Sequence, residues 1–342
     1  MKKVLGITIL GLFTMVIVLA STVSAEMTNS ELTKKIGEIE ERLSGIDISG
    51  TIEFEAGFES SENSSSDFST ATVDLAVEGE VNEYITGSFV FTYNSDDDGI
   101  ELDEAIIAIA SEGYPGYANL GYFVLPFGNF NTRFISDTIT KYGETKQNAV
   151  TVGYSREMFD VSLSLFNGHV NEDGEDDDHI SKFVLAGSVI FPENDIAKVS
   201  MGASIISDIS EADGFEEAIE TAGGKVKEFT MGYSIYLSAE FMEKFFFDVE
   251  YLAAADEIEY GAAKMEPKMY HIELGAAPVE NVECAIRYEA GDDIEEESRY
   301  GAVVSWAVLD NTTLTGEFLR TDFEDDNKDS LNTFTAQIAV EF

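Results

Sequence analysis

His169, His179 and His271 are the only imidazoles in the chain, and none stands at a spacing that joins a base to a nucleophile and an orienting group. No Walker loop or zinc motif is present. The chain therefore reads as a non-enzyme with no cofactor, and the chemistry on offer is ionic. The stretch 126–147 holds Arg133, Lys141 and Lys146 against Asp137 and Glu144, in a chain whose 66 acidic and 20 basic side chains sum to −46. No Lys or Arg occurs between Arg42 and Arg133. A basic, aromatic connection of this length inside an acidic protein is expected to have work to do. Folded into a lumen, it would place Arg133, Lys141, Glu144 and Lys146 at a pore constriction. The alternative is a loop packed on the rim or against a neighbouring subunit. Alternation also turns Asp74, Glu78, Glu80, Asp248, Glu250, Glu283, Glu289 and Glu317 to one side, with Arg287 as their one opposing charge. A wall of one sign enriches its counter-ion and predicts preference for cations.

The same charge excludes a broad basic groove, and with it nucleic acid as a partner. Metal is less clear-cut. Asn94, Asp96, Asp98 and Gly99 echo the start of an EF-hand loop, but the twelfth position is Ala105 and not glutamate. Asp173, Glu175, Asp176, Asp177 and Asp178 offer oxygens without a ligand register. Solvated loop tips are the preferred reading, with weak divalent-cation bridging as the alternative.

These side chains need elements to position them. From Ile48 onward, period-two alternation dominates: in 227–241, Tyr233, Ile235, Leu237 and Phe241 oppose Ser234, Tyr236, Ser238 and Glu240. Sixteen such segments are readable, among them 67–81, 117–128 and 226–241. Connections after even-numbered segments are short, whereas those after odd-numbered ones are longer and mostly acidic, as in 171–178 and 208–225. A sandwich has no reason to sort its loops by length between two ends. A transmembrane barrel with short inner turns and long outer loops does. The expected fold is an all-β, antiparallel transmembrane barrel of about sixteen strands over 48–342. Its final strand carries Phe334, Ile338, Val340 and terminal Phe342 on one face, and resembles the assembly signature of outer-membrane barrels.

Two segments precede the barrel. Lys2 and Lys3, an apolar run from Val4 to Ala20 and the small residues up to Ala25 read as a signal peptide over 1–25. The run also sits at the lower edge of a spanning helix, but its small-residue exit favours cleavage. Over 26–47, Leu32, Ile36, Ile39, Leu43 and Ile46 form an a/d seam, which predicts a short coiled-coil helix. The alternative is an amphipathic helix lying on the rest of the protein. Isoleucine at both seam positions leans toward a trimer.

This order of parts looks like a bacterial porin. More narrowly, residues 121–154, GYFVLPFGNFNTRFISDTITKYGETKQNAVTVGY, resemble the LbtU family of siderophore porins in their Pro-Phe-Gly turn, Ser-Asp-Thr run and Glu-Thr pair. The resemblance implies a homotrimeric channel in outer-membrane lipid, taking small solutes or ferric siderophores without TonB coupling or an energy-coupling plug. Against transport stands a structural or cation-binding surface barrel.

Overall fold

Strands with one apolar and one polar face must bury or solvate each face separately, and closing them into a barrel does both without leaving an edge. The computed structural model describes residues 45–61, 64–95, 99–174, 179–192, 196–325 and 327–342. The expected signal peptide and the expected helix up to residue 44 lie outside the described residues.

The wall consists of β1 (Ile46–Ser60), β2 (Ser64–Asn82), β3 (Ile85–Asn94), β4 (Gly99–Ser111), β5 (Tyr114–Val124), β6 (Lys146–Arg156), β7 (Phe159–Phe166), β8 (Lys182–Ile190), β9 (Ala197–Ile206), β10 (Gly232–Phe241), β11 (Phe245–Ala254), β12 (Lys268–Val279), β13 (Val282–Asp292), β14 (Glu296–Leu309), β15 (Thr312–Phe323) and β16 (Leu331–Glu341). Each pairs with its neighbours in sequence, and β16 closes on β1 in a register running from Thr51 opposite Glu341 to Ser60 opposite Asn332. Gly50 and Phe342 exchange both main-chain hydrogen bonds at the seam, at 2.9 and 3.0 Å. All sixteen expected strands are present. At the short-turn end, Asn281 and Asn311 adopt φ of 68° and 57°, the left-handed geometry that tight hairpins demand.

The outer face is apolar. Ile235, Ile286, Val304 and Trp306 are each more than half exposed, which water would penalise and hydrocarbon rewards. At the long-loop end a row of tyrosines crosses β10 to β14. Tyr251 stands opposite Tyr270 and Tyr288 opposite Tyr300, while Tyr233 lies 6.0 Å from Tyr251. At the short-turn end Tyr154 stacks on Phe159, near Tyr114 and Arg156. Aromatic girdles at both ends of an apolar band mark the two interfaces of a membrane.

Among the boundaries that differ from expectation, three change the assignment of a segment. β1 begins at Ile46, inside the segment expected to be helical. β5 stops at Val124 and not at 128, because Leu125 and Phe127 leave the wall for the interior, where they are 2% and 0% exposed. The alternation in 226–231 does not belong to β10. Lys225–Val226 instead joins a small sheet with Asn171–Glu172, Ile258–Tyr260 and Ala263–Met265.

That sheet, a 3₁₀ turn at Ile209–Glu211 and the helix α1 (Asp213–Thr221) form a cap at the long-loop end. α1 buries Phe215 and Ile219, four residues apart on one face, and carries Asp213 and Glu216 in its first turn, where the helix dipole favours them. Lys182, 3% exposed, pins the cap from the wall: it pairs with Asp208 at 2.9 Å and with Glu211. The loop 208–225, expected as one of the long, mostly acidic connections, is therefore packed. Its core continues into the barrel through Ile206, Leu252, Ile139 and Phe127.

Candidate functional site

The connection between β5 and β6, residues 125–145, carries main-chain N–H groups that have left the strand ladder and need acceptors once buried. Wall carboxylates supply them. Glu250 on β11 accepts from the Asn129 and Phe130 N–H groups at 2.8 and 3.0 Å, and from the Thr140 and Ser234 hydroxyls. Glu273 on β12 accepts from Arg133 N–H at 3.1 Å and from the Thr132 hydroxyl at 2.7 Å. Glu289 on β13 accepts from Ile139 N–H at 2.7 Å. Glu317 on β15 accepts from Ile135 N–H at 2.6 Å, and from the Ser136 N–H and hydroxyl at 3.1 and 2.6 Å. Four strands thus present four carboxylates to one loop, which lies against the inner face of the wall.

Cations close the network. Arg133 pairs with Asp248 at 2.7 Å and Glu273 at 3.2 Å, and its guanidinium lies 4.1 Å from the centre of the Phe246 ring. Arg287 donates to the Ser136 carbonyl and hydroxyl at 2.8 and 2.7 Å, stacks on Phe134 and pairs with Glu289. Arg299 shares Glu289 at 2.9 Å and donates to the Asp137 carbonyl at 2.6 Å. His271 contacts the same carboxylate through Nδ1 at 3.1 Å. At the outer end the Tyr142 hydroxyl donates to Glu296 at 2.9 Å; burial, and then this carboxylate, push its phenol pKa up and keep it a donor.

The expected wall therefore divides. Asp248, Glu250, Arg287, Glu289 and Glu317 are at most 6% exposed and hold the loop, where alternation alone suggested that they face water. Asp74, Glu78 and Glu80 on β2 remain accessible, and Glu283 is half exposed within 3.8 Å of Arg133. The accessible acids extend to Glu53 and Glu55 on β1, opposite in parity to the lipid-facing Ile52 and Phe54, and to two on β4. These are Glu104, opposite in parity to Ile107 and Ile109, and Glu101, which a register shift at residue 103 brings to the same inner face, opposite Thr92. Of the other loop residues, Lys141 pairs with Asp137 at 3.1 Å and Lys146 with Asp103, while the Glu144 carbonyl accepts from Asp213 N–H and ties the loop to α1. Sequence reading missed Glu273, His271 and Arg299, although parity on β12 and β14 places all three on the inner face.

For a metal, the two acidic loops considered contribute little that is described: Asp96, Asp98 and 175–178 lie outside the described residues. Among the described residues, Asp292, Asp293 and Glu324 bring three exposed carboxylates within 4.8 Å of one another.

A closed sixteen-stranded barrel with an apolar exterior, aromatic girdles, unequal loops and an inward-folded third loop defines the porin class of outer-membrane β-barrels. Solved structures agree on the fold. The chain is similar to OprB of Pseudomonas putida, with a TM-score of 0.65 and 11% identity over 90% of this chain and 97% of that one. It is similar to an anion-selective porin from Comamonas acidovorans, at TM-score 0.61 and 12% identity over 87% and 99%. It is also similar to the outer-membrane channel DcaP of Acinetobacter baumannii, at 0.56 and 11% over 87% and 97%. No family model matches the chain, and no curated protein matches it in sequence.

Proposed function

We propose that this chain is an outer-membrane diffusion channel for small solutes, in which residues 126–147 form the narrowest part and the accessible acids of β1, β2 and β4 favour cations. The observation that carries this reading is the asymmetry of the interior. Asp248, Glu250, Glu273, Glu289 and Glu317 on β11 to β15 are taken up by the loop, whereas the acids of β1, β2 and β4 keep solvent and have no lysine or arginine in their own stretch of chain. A partly screened wall of one sign concentrates its counter-ions over a distance of about 8–10 Å. Arg133 and Lys141 stand across that lumen, with side chains 25% and 37% exposed, and give a carboxylate-rich chelate two cations to meet. Ferric siderophores enter the proposal on that ground and on the resemblance in 121–154. A homotrimer is part of the same reading, in keeping with the trimer form of OmpT from Vibrio cholerae.

The packed apolar cluster joining loop and cap favours a second reading, a structural barrel that conducts little. Single-channel recording in a planar bilayer under a salt gradient separates the two. Steady conductance with a cation-selective reversal potential is expected of the channel; a silent membrane with inserted protein would leave the structural barrel.

A further inference from the structure

Below the root of the third loop, the wall changes character. On β5 to β10 the inward positions are mostly hydroxyls and small residues, and two tyrosines lie among them. Tyr117 stands directly opposite Gly153 and Tyr236 directly opposite Gly202. A Cβ on Gly153 would fall 2.2 Å from the Tyr117 ring, and one on Gly202 would fall 2.5 Å from the Tyr236 ring. Each ring is therefore laid across its neighbour's backbone, over a residue with no side chain to lift it. Folded flat in this way, the rings leave space inside the wall where upright rings would fill it.

That space is a half-open cavity of about 220 Å³, roofed by Pro126 and Gly128 and bounded by both tyrosines, Asn119, Ser162 and Ser188. It holds one ionisable acid, Asp160, which accepts from the Tyr117 hydroxyl at 3.2 Å, and no lysine or arginine lines it. Flat aromatic surface beside groups that both donate and accept is the environment that a ring-shaped polyol needs: its C–H face rests on an aromatic ring while its hydroxyls replace water contacts. An anion meets Asp160 and a negative barrel. A simple cation is better served by the acids of β1, β2 and β4. The volume lies below the ~300–1,000 Å³ of drug-sized sites, so a single small ring enters and a ferric siderophore does not.

We propose that this cavity is a low-affinity subsite for a neutral, polyhydroxylated solute of monosaccharide size, on the path through the channel. The inference deepens the diffusion-channel reading and rests on it for the word path. The test uses the full-length protein in planar bilayers, with D-glucose and myo-inositol as probes and choline as a cationic control. Both polyols should depress the ion current of the parent channel saturably, in the millimolar range. Gly202→Ala, which drives the Tyr236 ring into the cavity, should weaken that effect at least tenfold, and so should the double change Ser162→Ala with Ser188→Ala, which keeps the wall in place. Asp160→Asn should change it less than threefold. A conducting channel whose current ignores both polyols, or whose polyol effect survives the double change, overturns the subsite. So does choline acting saturably in their place and being lost in Asp160→Asn. A protein that inserts but does not conduct overturns the channel reading instead; equilibrium dialysis of the solubilised protein with labelled glucose then decides the cavity, and absence of binding refutes it.

Discussion

Replacing Glu317 by glutamine removes one carboxylate from beneath the third loop while changing almost no volume. The wild-type side chain is 3% exposed and accepts three hydrogen bonds, from Ile135 N–H, Ser136 N–H and the Ser136 hydroxyl. A glutamine has one acceptor oxygen and turns two donors toward the other donors, so at least one buried N–H or hydroxyl loses its partner. An orphaned buried donor costs about 1–3 kcal/mol and a hydrogen bond to a charged group is worth about 1.5–3, which places the net loss for loop docking near 2–4 kcal/mol. At 1.4 kcal/mol per decade, the loop should open about 30 to 700 times more often. The strand ladder is untouched, so the heat-resistance of the barrel should stay as in the parent. Amide hydrogen exchange in nanodiscs measures the difference directly: residues 129–139 should exchange faster by one and a half to three decades, with β1 to β4 unchanged. Glu78→Gln, on the accessible wall, is the control and should alter nothing in the loop. Unchanged exchange over 129–139 in Glu317→Gln would refute the claim that wall carboxylates hold the loop.

Other outcomes follow from the same arrangement. Arg133→Gln leaves Asp248 and Glu273 without their shared cation and should raise cation selectivity and alter conductance together; reversal potential and conductance both at parental values would place the loop outside the conduction path. A tag inserted near Lys328, on the long-loop side, should be labelled on intact cells, and one near Glu280, in the short turn after β12, should be hidden; labelling at Glu280 would invert the topology.

Much of the wall was legible because a lipid-facing strand has only one way to satisfy period two. Ile235, Leu237 and Phe241 cannot share a face with Ser234 and Ser238 in any other conformation. Alternation states which way a side chain points and not what stands opposite it. Glu250 and Glu78 have the same parity signature, yet one is buried under loop backbone and the other meets solvent. What separates them is a partner more than a hundred positions away in the chain, which no local pattern encodes. The cap was illegible for a related reason. Its strands are two or three residues long, too short for a period, and the apolar alternation in 226–231 reads like the start of β10 until Val226 is seen paired with Tyr260. Asn171–Glu172 and Lys225–Val226 run parallel, a pairing that adjacency in sequence cannot suggest.

The bonds that seat the third loop span very long stretches of sequence: 121 residues between Asn129 and Glu250, and 182 between Ile135 and Glu317. Closing loops of that size costs entropy before any contact rewards it, and contacts of high sequence separation form late. During synthesis and insertion, the segment after β5 therefore emerges long before the strands that satisfy it. Until β15 arrives, its N–H groups at 135 and 136 have only water. Docking of this segment consequently reports that the wall is nearly complete, and the order of events runs from last strands to third loop, the reverse of their order along the chain. A ribosome-order view of maturation would miss this: the middle of the polypeptide is the last part to come to rest.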